Sequence, residues 1–248
     1  MSLTLAEARA RVATISDVSY TVDLDLTSPR DDTFGCRTTV RFTTTVAKTF
    51  LELTGASGLS VTLDGHEVVP TYDGRRLWLT GLGGTHEVVA TARLPYVTDG
   101  DGMHRMVDPA DGEVYVGAYL GMDIAQKVLC CFDQNDLKAP ITLTARADPA
   151  WTVLANGRTV ASADGRWEFA PTPPIPLARC RARPRRGGAA RRHRGLLPAL
   201  RVDLRGALPL RLLRPGLRPG AQLGRPGDAG LRDLPRRAAW EDWRDDLR

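Results

Sequence analysis

Residues 18–28 read VSYTVDLDLTS. Val18, Tyr20, Val22, Leu24 and Leu26 fall at every second position, with polar residues between them. A period of two puts all five on one face of an extended chain, so the stretch predicts a half-buried strand of an antiparallel sheet. The same pattern spreads outward along the chain. Downstream come CRTTVRFTTTV (36–46), KTFLELT (48–54), LSVTLDG (59–65), RRLWLTGL (75–82) and THEVVATARLPYV (85–97). EVYVGAYL (113–120), ITLTARAD (141–148), WTVLANGRTV (151–160) and RWEFAPT (166–172) continue it. Turn chemistry punctuates these runs at Asp64-Gly65, Asp73-Gly74, Gly83-Gly84 and Asp99-Gly100-Asp101-Gly102. Asn156-Gly157 lies between two extended runs and predicts a hairpin. Upstream, Thr4 precedes LAEARARV with Glu7 at the capping-box position, which predicts a short helix. Ala125 to Phe132 reads as one or two helical turns. The expected fold class is all-β, an antiparallel curved sheet or sandwich.

Charge divides the chain. Residues 1–177 hold 15 basic and 22 acidic residues, whereas residues 178–248 hold 19 Arg, no Lys and 7 acids. An acidic body lacks the positive field that phosphate contacts need, so nucleic acid is not an expected partner of it. The start, MSLTLAEARARVATI, carries charges where a signal peptide needs an apolar run. No stretch approaches the roughly 20 apolar residues of a membrane helix. Cys36, Cys130, Cys131 and Cys180 show no disulfide spacing and read as reduced thiols. The body is therefore expected to be cytoplasmic, with no membrane partner.

A search for self-contained chemistry finds no catalytic set. His86-Glu87 begins like the zinc-peptidase helix His-Glu-x-x-His, but the fifth position is Ala90 and the setting is a strand. The other histidines, His66, His104 and His193, are isolated in sequence. Cys130 and Cys131 lack the spacer of metal or redox pairs. The Asp99–Gly102 turn lacks the closing Glu of a calcium loop. One stretch stands out, CCFDQNDLKAP (130–140), which gathers an aromatic ring, carboxylates, amides and a lysine between strands. It reads either as a tight corner held by Asx-type hydrogen bonds or as a binding edge.

That stretch carries a resemblance. CFDQNDLKAPITLTARADPAWTVLANG (131–157) resembles the N-terminal β domain of the aminopeptidase N family of zinc metallo-aminopeptidases, the gluzincins. The shared motif residues are Cys131, Phe132, Asp133, Lys138, Trp151, Asn156 and Gly157, with Asn135 where the family usually has proline. GMHRMVDPADGEVYV (102–116) also falls where bacterial members place a similar segment. The resemblance covers residues 1–177 and implies a curved β domain forming one wall of a peptide-substrate cleft. It further implies a zinc-bearing catalytic domain after it, in which the metal activates water for release of N-terminal residues. The sequence contains neither the His-Glu-x-x-His helix nor the Gly-Ala-Met-Glu-Asn amine-gripping motif, so no residue here is expected to be catalytic or to bind zinc. Counting back from the motif to the family's amine-holding position reaches Tyr119 and Gly121. Met122, Asp123, Gln134 and Asp136 are the expected cleft-edge residues.

From FAPTPPIPL (169–177) the family would run into another apolar strand. Here the composition changes instead. Arg, Leu, Ala, Gly and Pro make up 58 of the 71 residues from Ala178, and Lys, Ile, Phe, Tyr, Asn, Met, Ser and Thr are absent. These are mostly residue types of GC-rich codons, which fits a gene read out of frame after Leu177. The expected organisation is a β domain over 1–177 and a disordered Arg/Pro/Gly-rich tail over 178–248. Three functions follow: a truncated aminopeptidase N-type protein inactive alone, a non-catalytic β-domain module binding peptides or proteins, or a nucleic-acid binder through its tail.

Overall fold

The computed structural model describes residues 2–110 and 112–186, the last six through their backbone. Helix α1 (Leu5–Thr14) opens with the expected capping box. The Glu7 N–H donates to Thr4 Oγ1 at 3.2 Å, and the Thr4 N–H donates to the Glu7 carboxylate at 2.9 Å. Two donors that a helix start leaves orphaned are thereby satisfied.

The chain passes directly into β1 (Ile15–Asp25), where alternation is realised: Val18, Tyr20, Val22 and Leu24 are buried. Next come β2 (Thr33–Thr44), β3 (Lys48–Glu52), β4 (Ser57–Leu63), β5 (His66–Val68), β6 (Thr71–Tyr72), β7 (Arg76–Thr80) and β8 (Gly84–Pro95). β9 (Gly102–Val107), β10 (Val114–Tyr119), β11 (Ile141–Arg146), β12 (Trp151–Ala155), β13 (Thr159–Ala163), β14 (Arg166–Phe169) and β15 (Arg181–Arg186) complete the set. β9 begins at Gly102, whose φ of 93° only glycine adopts freely, inside the stretch read from sequence as a turn.

Among the described residues three sheets result. The largest has eight strands in the order β13-β14-β11-β1-β2-β8-β4-β5. Four strands form a second, β12-β15-β10-β9, and three a third, β3-β7-β6. The mostly antiparallel β class expected from sequence holds, with one exception. β1 and β11 pair in parallel, Tyr20 opposite Ile141 through Asp25 opposite Arg146. A parallel pair needs a long crossover, and the chain between these strands supplies it with β2–β10, which build the other half of the large sheet, the three-stranded sheet and two strands of the four-stranded one. Phe42 of β2 and Phe132 of the irregular segment between β10 and β11 lie fully buried, edge to face with centroids 5.2 Å apart.

Asp64-Gly65 makes the expected hairpin between β4 and β5, with φ of 51° and 81°. Asp164-Gly165 makes a second, between β13 and β14, with φ of 51° and 75°. The hairpin expected at Asn156-Gly157 does not form. β12 pairs with β15 in the four-stranded sheet, and β13 pairs with β14 in the large one. The dipeptide is a crossing between sheets. Asn156 donates its side-chain N–H to the Arg179 carbonyl at 2.9 Å. Gly157 meets another need, since a Cβ there would lie 2.2 Å from the Ala170 carbonyl oxygen. The helical turns expected over Ala125–Phe132 shrink to a 3-10 turn at Ala125–Lys127.

The described backbone runs past Ala178 as far as residue 186. A 3-10 turn covers Leu177–Arg179, and β15 then pairs with β12 and β10. Strand pairing uses main-chain groups that any residue but proline offers, so composition alone does not forbid it. The tail beyond residue 186 lies outside the described residues.

Candidate functional site

The site is built around the segment 119–138, which closes over β3 and α1. Its anchor is a two-residue bridge: the Glu52 N–H donates to the Cys131 carbonyl at 2.7 Å and the Cys131 N–H to the Glu52 carbonyl at 3.0 Å. The Phe132 N–H donates to Tyr20 Oη at 3.1 Å, and the Cys130 N–H to Thr38 Oγ1 at 3.3 Å. An irregular backbone is thus tied to side chains of β1 and β2.

Beneath it lies a buried ion pair. Arg11 and Glu52 are 4% and 5% exposed, and Arg11 grips the carboxylate through two N–H groups at 2.9 and 3.2 Å. The same guanidinium donates to the Phe50 carbonyl and lies 4.4 Å from the Phe50 ring centroid and 5.2 Å from that of Phe132. Burial pushes the Glu52 carboxyl up against the pull of Arg11. The Asp133 N–H also donates to Glu52, at 3.1 Å.

Asp133 is an acid held inside. Its carboxylate accepts the Gln126 N–H at 3.3 Å, yet burial, with repulsion from Glu52 and Asp123, pushes it up to about 6. Gln126 is 1% exposed and links the parts: its carbonyl oxygen accepts Thr54 Oγ1 at 2.7 Å, and its amide donates to Asp123 at 2.6 Å. Asp123 sits at φ 61°, a left-handed conformation that Asp tolerates better than most residues. It also accepts Ser2 Oγ at 2.7 Å and pairs with Arg75 at 3.6 Å.

The expected cleft-edge residues therefore separate. Met122 is 76% exposed, and Asp123 lies beside it with its carboxylate engaged. Asp136 is exposed, as is Lys138. Gln134 points the other way: it is buried, and its amide donates to the Ala8 carbonyl at 2.9 Å, fastening the corner to α1. At the position where the resemblance implies an amine-holding group, Tyr119 is half-exposed and its ring lies across Gly121. A Cβ at residue 121 would come 2.8 Å from that ring, so a larger acceptor there would displace it. Of the remaining motif residues, Cys131, Phe132 and Trp151 are core.

Sequence reasoning missed Arg11, Glu52 and Gln126. A helical arginine reads as solvated, and its partner lies 41 residues away. His86, by contrast, is explained as a structural residue. Its two ring nitrogens meet Asp64 at 2.7 Å and the Gly83 N–H at 2.9 Å. Among the described residues no group of three His, Cys, Asp or Glu is placed to hold a metal ion. No described helix is long and apolar enough to cross a membrane.

The fold and this corner together define a mixed-sheet β domain whose exposed rim is positioned by a buried polar hub. No family model matches the chain. Against known proteins the chain is 36% identical over 180 residues to aminopeptidase N of Streptomyces lividans, a match covering 70% of this chain. The chain spans 21% of the length of that relative. It is an aminopeptidase N homologue, related to an N-terminal segment of that family.

Proposed function

We propose that residues 1–177 are the substrate-side β domain of an aminopeptidase N-type zinc metallopeptidase and do no chemistry alone. The observation that carries this reading is the corner at 119–138. Its backbone is fixed by Tyr20, Thr38 and Glu52, while Met122, Tyr119, Asp136 and Lys138 face outward. Such a corner can form one wall of a cleft for peptides and leave catalysis to another domain. In this reading the metal, and the water it would activate, belong to that other domain. A change of reading frame after Leu177 accounts for the switch to arginine-rich sequence, and the parent protein is then a cytoplasmic enzyme.

The test is release of a fluorophore from N-terminal aminoacyl substrates, with and without added zinc. The purified 248-residue chain is expected to give none, and a gene restored to the family's frame is expected to give zinc-dependent release. Release by the chain as it stands would contradict the assignment. The second reading, a non-catalytic binding module, rests on the exposed Met122 beside an otherwise polar rim. It is favoured if the chain binds peptides and the restored gene has no activity.

A further inference from the structure

The outward face of the large sheet carries an arginine-lined trough, built by two cross-strand rows. Arg93 of β8, Gly35 of β2, Asp25 of β1, Arg146 of β11 and Arg166 of β14 lie opposite one another in turn. Two residues further along the strands, Thr91, Arg37, Asp23 and Thr144 do the same. Strand alternation puts all of them on the face away from the core. They line a groove of about 560 Å³, within the roughly 300–1,000 Å³ typical of ligand sites. Four of the 15 basic residues of 1–177 gather here, although acids outnumber bases in that segment. No residue of the corner at 119–138 lines the groove.

Two observations point to an occupant. The first is Gly35 in the middle of the first row. Its φ is not positive, and the ladders on both sides of it are unbroken, so neither a turn nor a bulge requires glycine there. A Cβ would crowd the Asp25 Cβ at 3.0 Å, and its absence leaves the floor open between Arg93 and Asp25. Glycine inside a strand permits another backbone to approach closely. The second is unspent charge. Arg146 pairs with Asp25 at 2.8 Å, Arg166 meets Glu168 of its own strand at 2.8 Å, and Arg93 donates to Thr33. Arg37 and Asp23 stand opposite one another, yet among the described residues neither forms an ion pair.

We infer that this trough binds an extended acidic segment of a partner protein. Arginine forks suit carboxylates. Asp23 and the open floor suit main-chain N–H groups, which a peptide offers. A phosphate offers acceptors alone and would meet Asp23 and Asp25 as like charges. The inference is independent of the reaction the parent protein performs. Fluorescence anisotropy of fluorescein-labelled hexaglutamate with the full chain tests it, at physiological ionic strength, where attraction beyond about 8 Å is largely screened. Arginines after residue 177 attract this probe in parent and variants alike, so variants with the same change of charge are compared. Arg37→Glu should weaken binding about tenfold, and adding Arg166→Glu should weaken it further. Arg37→Ala, which breaks no ion pair, should weaken it about threefold and decides the matter if the reversal disturbs folding. Arg9→Glu, exposed on α1 and outside the trough, should change it by less than about twofold. No loss at Arg37, or equal loss for Arg9→Glu and Arg37→Glu, would overturn the inference. Tripolyphosphate that binds more tightly than hexaglutamate, and through Arg37, would overturn it in favour of phosphate.

Discussion

β2 and β15 are both flanked by neighbours on two sides, yet they are built differently. β2 pairs without interruption along β8, and its inward residues Phe34, Val40 and Phe42 are at most 1% exposed. Its outward residues are threonine, arginine and Gly35, and pattern and pairing agree. β15 is placed by main-chain pairing with β12 and β10, with a proline at position 184 and a gap in one ladder. The difference teaches that backbone pairing can define a strand's position while only side chains make that position stable.

The comparison breaks most directly at β2. Phe42→Ala removes the ring on which Phe132 rests and should cost about 3–5 kcal/mol, read from urea unfolding. A substitution that costs under 1 kcal/mol would show that β2 is not the stronger strand.

Arg11→Ala should be nearly as damaging, about 3–5 kcal/mol, because it leaves the Glu52 carboxylate buried without its partner. Arg11→Met with Glu52→Leu should recover most of that loss. Equal loss in the single and double variants would show that packing, not charge, holds the hub.

Asp133 gives a pH test. Its folded value is raised from 3.8 to about 6, so the folded state holds the proton more tightly than the unfolded state. Stability from this group is fully present below pH 4, is lost as pH rises toward 6, and is flat above, a span of about 3 kcal/mol. Asp133→Asn, which keeps an acceptor for Gln126, should remove that slope, so its advantage over the parent protein should be larger at pH 8 than at pH 4. Parallel stability–pH curves for the two proteins would refute the assignment.

The smallest expected effect is at the crossing that leaves β12 free to receive β15. Gly157→Ala must move the Ala170 carbonyl and should cost about 1–3 kcal/mol. A neutral result would mean that the crossing is loosely held.

What was legible in the sequence followed locality. The alternation at Val18–Leu26 and the Thr4–Glu7 cap need only neighbours in the chain, and both appear as expected. The parallel pairing of β1 with β11 depends on a strand more than a hundred residues away and leaves no local mark. Asn156-Gly157 has the composition of a hairpin, but the close approach of Ala170 decides its geometry. At the site, the resemblance located the corner, and Phe132 and Cys131 proved to be core. It did not separate Gln134, which turns inward, from Asp123 and Asp136, because neighbours on a corner point in different directions. Arg11 and Glu52 were hidden because each, alone, is an ordinary surface residue type.

Sequencing the gene across the codons for Thr172 to Arg185 tests most directly the proposal that the reading frame changes after Leu177. The account predicts one or two bases gained or lost just after Leu177. It also predicts that the restored frame runs on to the amine-gripping motif and a His-Glu-x-x-His helix. A frame that stands as written, in both gene and transcript, would contradict it.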